Sequence, residues 1–132
     1  KAFDTVSRSH VISALKQKGM DNHVTALITN LYRDISARID LKNEQLDPIG
    51  IWVGVKQGDP TSPVLFNLAV APLLRKAEEE GDGFQHRSKN VTTMAFAGDL
   101  VLLRGSWEGT QKNIDILEVF CELTGLKTQG EK

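Results

Sequence analysis

A Gln-Gly-Asp-Pro-Thr-Ser-Pro stretch that begins at Gln57 combines residue types that can bind a phosphate-bearing ligand. Gly58 lets the backbone approach a ligand closely, and the Gln57 amide can both donate and accept hydrogen bonds. Ser62 at the N-cap and Pro63 at the first helical position predict a helix whose N-terminal N–H groups point toward the same place. Lys56 adds a positive charge. The same residues are also typical of an ordinary loop that leads into a capped helix.

Asp99 stands between two short apolar segments, residues 94–97 and 100–103. This pattern predicts a β-hairpin with its turn at Gly98-Asp99, and a hairpin tip can present a carboxylate rigidly. Two adjacent carboxylates at such a tip would suit two-metal phosphoryl chemistry, in which oxygen ligands surround two ions about 4 Å apart. Asp99 is the single acid of this tip, and a Gly-Asp pair between strands is also an ordinary turn.

The helices that must position these residues follow from capping residues and hydrophobic periodicity. Ser7 is predicted to begin one helix, which Gly19 ends, and Asp21 is predicted to begin another. The second helix is amphipathic, because apolar residues recur at helical spacing at Val24, Leu27, Ile28, Leu31 and Tyr32.

The remaining elements include strands. Two strands are predicted over residues 37–41 and 49–55, with a turn over residues 43–48. Further helices are predicted over residues 62–80 and 106–125. Because strands and helices alternate irregularly and hairpins are present, we predict an α+β fold in which an antiparallel sheet packs against helices.

The composition is that of one globular domain and excludes several other classes. The chain has 132 residues, and its 16 basic and 17 acidic residues leave a net charge of −1, so charge alone indicates neither a nucleic-acid nor a membrane partner. Cys121 is the one cysteine, which excludes an internal disulfide, and the 3 scattered histidines do not form a zinc cluster. The longest mostly apolar run, residues 63–74, is too short to span a bilayer.

Taken in order, four segments of the chain resemble the motifs of a reverse transcriptase. They are residues 1–6 for the end of the first palm motif, 55–67 for the second, 96–99 for the Phe/Tyr-Ala-Asp-Asp box, and 125–127 with Lys132 for the fourth. The Lys-Ala-Phe-Asp and Gln-Gly-Asp-Pro forms are similar to those of non-LTR retrotransposons. Residues 6–20 and 100–111 more narrowly resemble type-1 elements that insert site-specifically into ribosomal RNA genes.

This resemblance implies a partial right-hand polymerase fold with a palm-type sheet, in which residues 1–132 form one domain truncated at both ends. It implies an RNA-directed DNA polymerase that uses two Mg²⁺ ions for nucleotidyl transfer from a deoxynucleoside triphosphate to a primer 3′-hydroxyl. The implied partners are an RNA template, a DNA primer or target and the nucleotide, with no membrane. The parent protein would carry an endonuclease and act inside the cell, in the nucleus.

The resemblance also implies roles for individual residues. Phe3 corresponds to the bulky residue that excludes a ribose 2′-hydroxyl, and Gln57 and Gly58 correspond to the nucleotide-contacting pair of the second motif. Asp99 corresponds to the second carboxylate of the box, which is both catalytic and a metal ligand. Lys132 corresponds to the catalytic lysine near the triphosphate, where a cation can neutralise the leaving pyrophosphate.

Two metal-binding positions depart from the family pattern. The first-motif Asp would precede Lys1, and Gly98 occupies the position of the first box Asp. Asp4 corresponds to a different motif position, so it does not replace the missing ligand. Loss of one carboxylate from a two-metal site is expected to slow the reaction roughly a thousandfold or more.

We therefore expect this chain to be inactive by itself. The alternative is a polymerase-derived domain that holds RNA or DNA without chemistry. Gly98 favours this alternative, whereas the near-neutral charge does not, because backbone binding requires a basic groove. A group II intron maturase is a third interpretation, which the Gln-Gly-Asp-Pro stretch fits less well.

Overall fold

The computed structural model describes residues 2–41, 44–80 and 83–129 of the chain. Its helices are α1 (Ala2–Thr5), α2 (Arg8–Gln17), α3 (Asn22–Leu31), α4 (Ser62–Glu79) and α5 (Trp107–Thr124). Its strands are β1 (Ser36–Ala37), β2 (Asp40–Leu41), β3 (Glu44–Gln45), β4 (Ile49–Gly50), β5 (Phe84–His86), β6 (Lys89–Val91), β7 (Thr93–Phe96) and β8 (Asp99–Leu102). Among the described residues, no helix is long and apolar enough to cross a bilayer.

The strands pair as short antiparallel ladders. β1 pairs with β4, β2 with β3, β5 with β6, and β7 with β8. Over the described ranges they form four two-stranded sheets instead of one continuous sheet. Helices and antiparallel strand pairs together confirm the predicted α+β class.

The core lies mainly between α2 and α4. α3 packs against α2, and α5 packs against α4. The buried cluster consists of Val6, Val11, Leu15, Tyr32, Val55, Leu65, Phe66 and Ala69. Burial of one such large side chain contributes about 1.5–3 kcal/mol. Because its members come from well-separated stretches, the cluster fixes the first residues of the chain against α2 and α4.

Three predicted helix starts are confirmed. Ser7, Asp21 and Ser106 are the N-caps of α2, α3 and α5. The Asp21 carboxylate accepts a hydrogen bond from the His23 N–H at 2.7 Å, which satisfies one of the free donors at the helix start. Gly125 ends α5 in the left-handed conformation, with φ of 75°.

The hairpin that precedes α4 differs from the prediction. The strands predicted over residues 37–41 and 49–55 are interrupted, and the chain reverses between β2 and β3 instead of over residues 43–48. The end of the second segment leaves the ladder because the N–H groups of Gly54 and Val55 donate to carbonyl groups of the first residues of the chain.

The hairpin formed by β5 and β6 was not predicted from the sequence. Phe84 pairs with Val91, and the residues of both strands are exposed or half-buried. Without a buried face there is no alternation of apolar and polar residues to detect. The turn also places Arg87 at a φ of 56°, a conformation that its residue type does not favour.

α3 is a helix as predicted, but much of its apolar face is uncovered. Val24, Leu27 and Leu31 are 40%, 59% and 49% exposed. Thr25 is instead the buried residue of this helix. The contact between α2 and α3 is therefore narrow, and it leaves a groove between the two helices.

Leu15→Ala is expected to destabilise the chain by about 2–5 kcal/mol, because Leu15 is 1% exposed and its truncation leaves a cavity. Urea unfolding followed by circular dichroism measures the loss. Leu27→Ala is the matched control and is expected to change stability by less than about 0.5 kcal/mol. Equal losses for the two variants would contradict the core described here.

Candidate functional site

Backbone hydrogen bonds join two segments that are distant in sequence. The Val55 N–H donates to the Phe3 carbonyl oxygen at 2.8 Å, and the Gly54 N–H donates to the Val6 carbonyl oxygen at 2.9 Å. Gly54 has a φ of 83°, and a Cβ at this position would lie 2.8 Å from backbone atoms of Asp4. Glycine is required here for both reasons, and it holds α1 against the loop that precedes α4.

A cavity of about 410 Å³ opens beside this junction. Its lining consists of Phe3, Lys56, Gln57, Gly58, Asp59, Pro60, Ser62 and Pro63. Phe3, Gln57 and Gly58, which the sequence analysis singled out for nucleotide contact, therefore share one cavity. Its volume lies within the range of roughly 300–1,000 Å³ that is typical of small-ligand sites.

Phe3 forms a fixed wall of this cavity. Its ring stacks on the Phe66 ring of α4, with centroids 4.5 Å apart and planes 14° apart. Stacking of this kind restricts the orientation of both rings. The wall that a ligand meets is therefore rigid and apolar.

The side of the cavity near α4 favours an anion. Ser62 and Pro63 line the cavity at the first turn of α4, so the positive end of the helix dipole faces it. Lys56 lines the same cavity and adds a full positive charge. Asp59 is the one acidic residue of the lining.

Asp59 folds the loop that carries these residues. Its Oδ1 accepts hydrogen bonds from the Thr61 hydroxyl at 2.7 Å and from the Thr61 N–H at 2.8 Å. The hydrogen bond from the Thr61 hydroxyl contributes most to holding the pKa of Asp59 below its usual value, and the bond from the Thr61 N–H contributes next. The positive charge of Lys56 acts in the same direction. The Asp-x-Thr spacing was a readable signal for this turn, which the sequence analysis did not use.

The N-cap predicted for α4 is wrong by one residue. Thr61 is the N-cap, and Ser62 is the first residue of the helix. The Ser62 hydroxyl donates to the Lys56 carbonyl oxygen and lies 3.3 Å from the Tyr32 hydroxyl. Ser62 therefore holds the loop from within the helix instead of capping it.

Tyr32 contacts the loop at Lys56 and Ser62, a role that its position in the sequence does not indicate. Its hydroxyl accepts a long hydrogen bond from the Lys56 N–H at 3.5 Å. The Lys56 ammonium lies 5.8 Å from the ring centroid, and the Arg8 guanidinium lies 5.4 Å from it. The periodicity of α3 predicts only an apolar face for Tyr32, because contacts with distant residues leave no local pattern.

The tip of the β7–β8 hairpin also differs from the prediction. The turn consists of Ala97 and Gly98, and Asp99 is the first residue of β8, opposite Phe96. Ala97 takes the left-handed conformation with φ of 50°, whereas Gly98 lies outside that region. The turn therefore does not require glycine at position 98.

Gly98 lies against the first residues of the chain. A Cβ at position 98 would lie 3.4 Å from the Ala2 Cβ, a close but ordinary contact. The hairpin tip and α1 thus meet, although they are distant in sequence. An added Cβ at position 98 therefore has room at this contact.

The residues present do not fit a pair of metal ions. Within the described part of the chain, no three His, Cys, Asp or Glu residues come together in a group that could hold a metal. At the hairpin tip, Asp99 stands beside Gly98 and not beside a second carboxylate. The described residues therefore do not by themselves supply a complete site for two Mg²⁺ ions.

Two other residues named in the sequence analysis have different outcomes. Asp4 Oδ1 accepts a hydrogen bond from Gln57 Nε2 at 2.6 Å, so this carboxylate contacts one of the two residues predicted to bind the nucleotide. Lys132 lies outside the described residues, and its predicted role stays a prediction.

The junction of α1 with the loop and the contact of α1 with the hairpin tip bring together the first three of the four sequence segments. The chain belongs to the reverse transcriptase (RNA-dependent DNA polymerase) family, whose model matches residues 1–132. The resemblance found in the sequence is thereby confirmed.

Individual relatives place the chain near retrotransposon proteins. It is 32% identical over 136 residues to the Retrovirus-related Pol polyprotein from type-1 retrotransposable element R2 of Nasonia vitripennis, covering 100% of this chain and 13% of the relative. A protein with the same name from Popillia japonica is 36% identical over 104 residues, covering 78% of this chain and 17% of the relative. A Pol polyprotein from a type-2 retrotransposable element of Drosophila melanogaster is 33% identical over 132 residues, covering 100% of this chain and 12% of the relative. The chain therefore spans less than a fifth of the length of these relatives.

Gly54→Ala is expected to destabilise the chain more than Gly58→Ala does. Both glycines have a φ of 83°, so each alanine suffers about 1–2 kcal/mol of backbone strain. At Gly54 the new methyl group also meets the Asp4 backbone, whereas at Gly58 no atom lies within 4 Å. Urea unfolding of the two variants measures the difference, and equal losses would show that α1 is not held at this junction.

Thr61→Val is expected to raise the pKa of Asp59 toward its usual value, because the larger of its two stabilising hydrogen bonds is lost. A carboxylate whose pKa is lowered by folding stabilises the fold above its unfolded pKa, and that stability is lost as pH falls through the folded pKa. The valine variant should therefore be less stable than the wild-type chain above the unfolded pKa, and this difference should shrink as pH falls through the folded pKa of the wild-type Asp59. NMR titration of the Asp59 carboxyl carbon measures the pKa, and Thr61→Ser should keep it low.

Proposed function

We propose that this chain is the palm portion of an RNA-directed DNA polymerase encoded by a non-LTR retrotransposon, and that its cavity binds the incoming deoxynucleoside triphosphate. The observation that carries the proposal is the meeting of Phe3 with Gln57 and Gly58 in one cavity. Two segments that are distant in sequence supply these residues, as the order of the family's motifs requires.

Phe3 would select the sugar. A ring held rigid by stacking on Phe66 leaves little space beneath a bound sugar. A ribose 2′-hydroxyl would need that space and would also lose its hydration against an apolar wall. A deoxyribose avoids both costs, which supports a deoxynucleotide over a ribonucleotide.

The opposite side of the cavity would hold the phosphates. Lys56 and the first turn of α4 supply the positive potential that a triphosphate needs. Gln57 and Gly58 would contact the nucleotide between these two sides. Lys132 stays the proposed catalytic cation near the leaving pyrophosphate.

The remaining partners are proposed for the parent protein. They are an RNA template and a DNA primer or target, with two Mg²⁺ ions in a family member that has all its carboxylates. An endonuclease, nuclear action and insertion into ribosomal RNA genes are likewise proposed for the parent, of which we propose that this chain is one part. The retrotransposon relatives support this proposal over a group II intron maturase.

We propose that the chain as it stands does not turn over, because Gly98 replaces a metal ligand beside Asp99. A second candidate function is a domain that holds RNA or DNA without chemistry. Gly98, at the position of a metal-binding carboxylate, favours this candidate. The two candidates differ in what a restored carboxylate would do.

Gly98→Asp in the parent protein is expected to produce primer extension on an RNA template with Mg²⁺, at a rate roughly a thousandfold or more above that of the Gly98 form. The substitution should fold, because position 98 is outside the left-handed region and a Cβ there makes an ordinary contact. The isolated 132-residue chain should show no extension with Gly98 in place.

Each result separates the candidates. Extension by the Asp form alone supports a polymerase palm that lacks one metal ligand. Extension by both forms would show that Gly98 does not occupy the ligand position. If neither form extends the primer while both bind RNA, the non-catalytic function replaces the polymerase.

Gly58→Ala should weaken nucleotide binding in either form, and the variant must show the wild-type circular dichroism spectrum for this result to count.

A further inference from the structure

A hydrogen bond between two side chains continues the junction of α1 with the loop that precedes α4. Gln57 Nε2 donates to Asp4 Oδ1 at 2.6 Å, across 53 positions of sequence. This distance is short for an N–H···O bond, as is usual when the acceptor is ionised. Gln57 lines the proposed nucleotide cavity, whereas Asp4 does not. Asp4 can therefore act on a ligand through Gln57 and not by direct contact.

The backbones on both sides of this bond are held together by other contacts. Phe3 precedes Asp4, and its carbonyl oxygen accepts a hydrogen bond from the Val55 N–H at 2.8 Å. The Asp4 backbone also lies against Gly54, where a Cβ would come within 2.8 Å of it. Two exposed side chains lose conformational freedom when they form a hydrogen bond. Because both backbones are fixed here, less of that freedom remains to be lost.

The Asp4 carboxylate dictates which end of the Gln57 amide it contacts. An amide has a donor nitrogen and an acceptor oxygen, whereas an ionised carboxylate accepts hydrogen bonds and donates none. If the amide were turned over, Gln57 Oε1 would face the Asp4 oxygen and two acceptors would repel each other. The amide is therefore held with Nε2 toward Asp4, and its Oε1 end is the one left for a ligand in the cavity.

An amide fixed in this way distinguishes between the parts of a nucleotide. Oε1 can accept a hydrogen bond from a donor group of a sugar or a base. A phosphate oxygen is itself an acceptor and would be repelled by Oε1. The positive potential that suits phosphates comes instead from Lys56 and from the first turn of α4, which line the same cavity. The cavity therefore offers an acceptor at Gln57 and a positive potential elsewhere.

We propose that Asp4 is a positioning residue for Gln57. It fixes the Gln57 amide so that Oε1 accepts a hydrogen bond from the sugar or the base of the nucleotide and does not contact a phosphate. The identity of the ligand rests on the proposed function, whereas the orientation of the amide does not. Two measurements on the same chain separate these two parts.

The orientation of Gln57 is measured without a ligand, by NMR of its side-chain amide in the isotope-labelled 132-residue chain. The signals of this amide are those that a Gln57→Met variant lacks. Asp4→Ala removes the acceptor and should shift these signals toward those of exposed glutamines. Asp47→Ala is the matched control, because it removes the same charge from an exposed residue that does not line the cavity. It should leave the signals unchanged.

The recognition by Gln57 is measured by NMR titration with a deoxynucleoside triphosphate and, separately, with inorganic triphosphate. Asp4→Ala should lower the ratio of the first affinity to the second by about fivefold, the equivalent of one lost hydrogen bond. The lost charge of Asp4 acts on both ligands and largely cancels in the ratio. A merely structural role of Asp4 would weaken both ligands and leave the ratio unchanged.

Asp4→Asn tests whether the carboxylate dictates the orientation. Asparagine has the same shape and keeps an acceptor oxygen, but its Nδ2 can also donate to Gln57 Oε1. Both orientations of the Gln57 amide then become available, so the ratio should fall by less than in Asp4→Ala. Circular dichroism of the variants checks folding, and the substituted residues Asp4 and Asp47 are exposed.

A titration with deoxyribose phosphate identifies the source of the donor. An affinity that falls in Asp4→Ala, relative to inorganic phosphate, assigns the donor to the sugar. An affinity that does not fall assigns it to the base, and either result supports the proposal when the nucleotide ratio has fallen.

The proposal is overturned if Asp4→Ala leaves the Gln57 signals in place, or if it leaves the ratio of affinities unchanged. Failure of the proposed function has a different signature, in which the wild-type chain binds no deoxynucleotide while Asp4→Ala still shifts the Gln57 signals. That result would overturn nucleotide recognition by Gln57 and leave only its orientation by Asp4.

Discussion

The structure depends on the contact between Gly54 and the backbone of α1. The two hydrogen bonds from Gly54 and Val55 are available only because no side chain separates the two segments. They place Phe3 at the wall of the cavity and Ala2 at the hairpin tip. One helical turn thereby contributes to both the cavity and the contact with the hairpin tip.

Local rules predicted the elements that local interactions stabilise. Asp21 and Ser106 satisfy N–H groups within three residues, so their capping roles are readable from the sequence. Ser62 could not be assigned in this way, because its hydroxyl is used by Lys56 and Tyr32, and the second lies 30 positions away. The predicted end of the second strand was wrong for a related reason. The N–H groups of Gly54 and Val55 donate to the first residues of the chain, a segment that no hydrophobic periodicity identifies.

The candidate site was readable from the sequence only in part. The resemblance identified Phe3, Gln57 and Gly58 together, because the order of the family's motifs indicates which segments meet in the fold. Composition gives no such indication. It did not reveal that Asp4 holds Gln57 or that Asp59 folds the loop. The residues that shape the cavity are also different from those that would bind metal, so a cavity can persist after a metal ligand is lost.

The conformation of the hairpin turn has a consequence for the fate of the protein in a cell. Ala97 and not Gly98 takes the left-handed conformation, so replacing glycine by aspartate at position 98 should not strain the backbone of the turn. Quality control by chaperones and proteases acts on unfolded chains, so it would treat glycine and aspartate at position 98 alike. The proposed loss of a metal ligand would then leave the amount of folded protein in a cell unchanged.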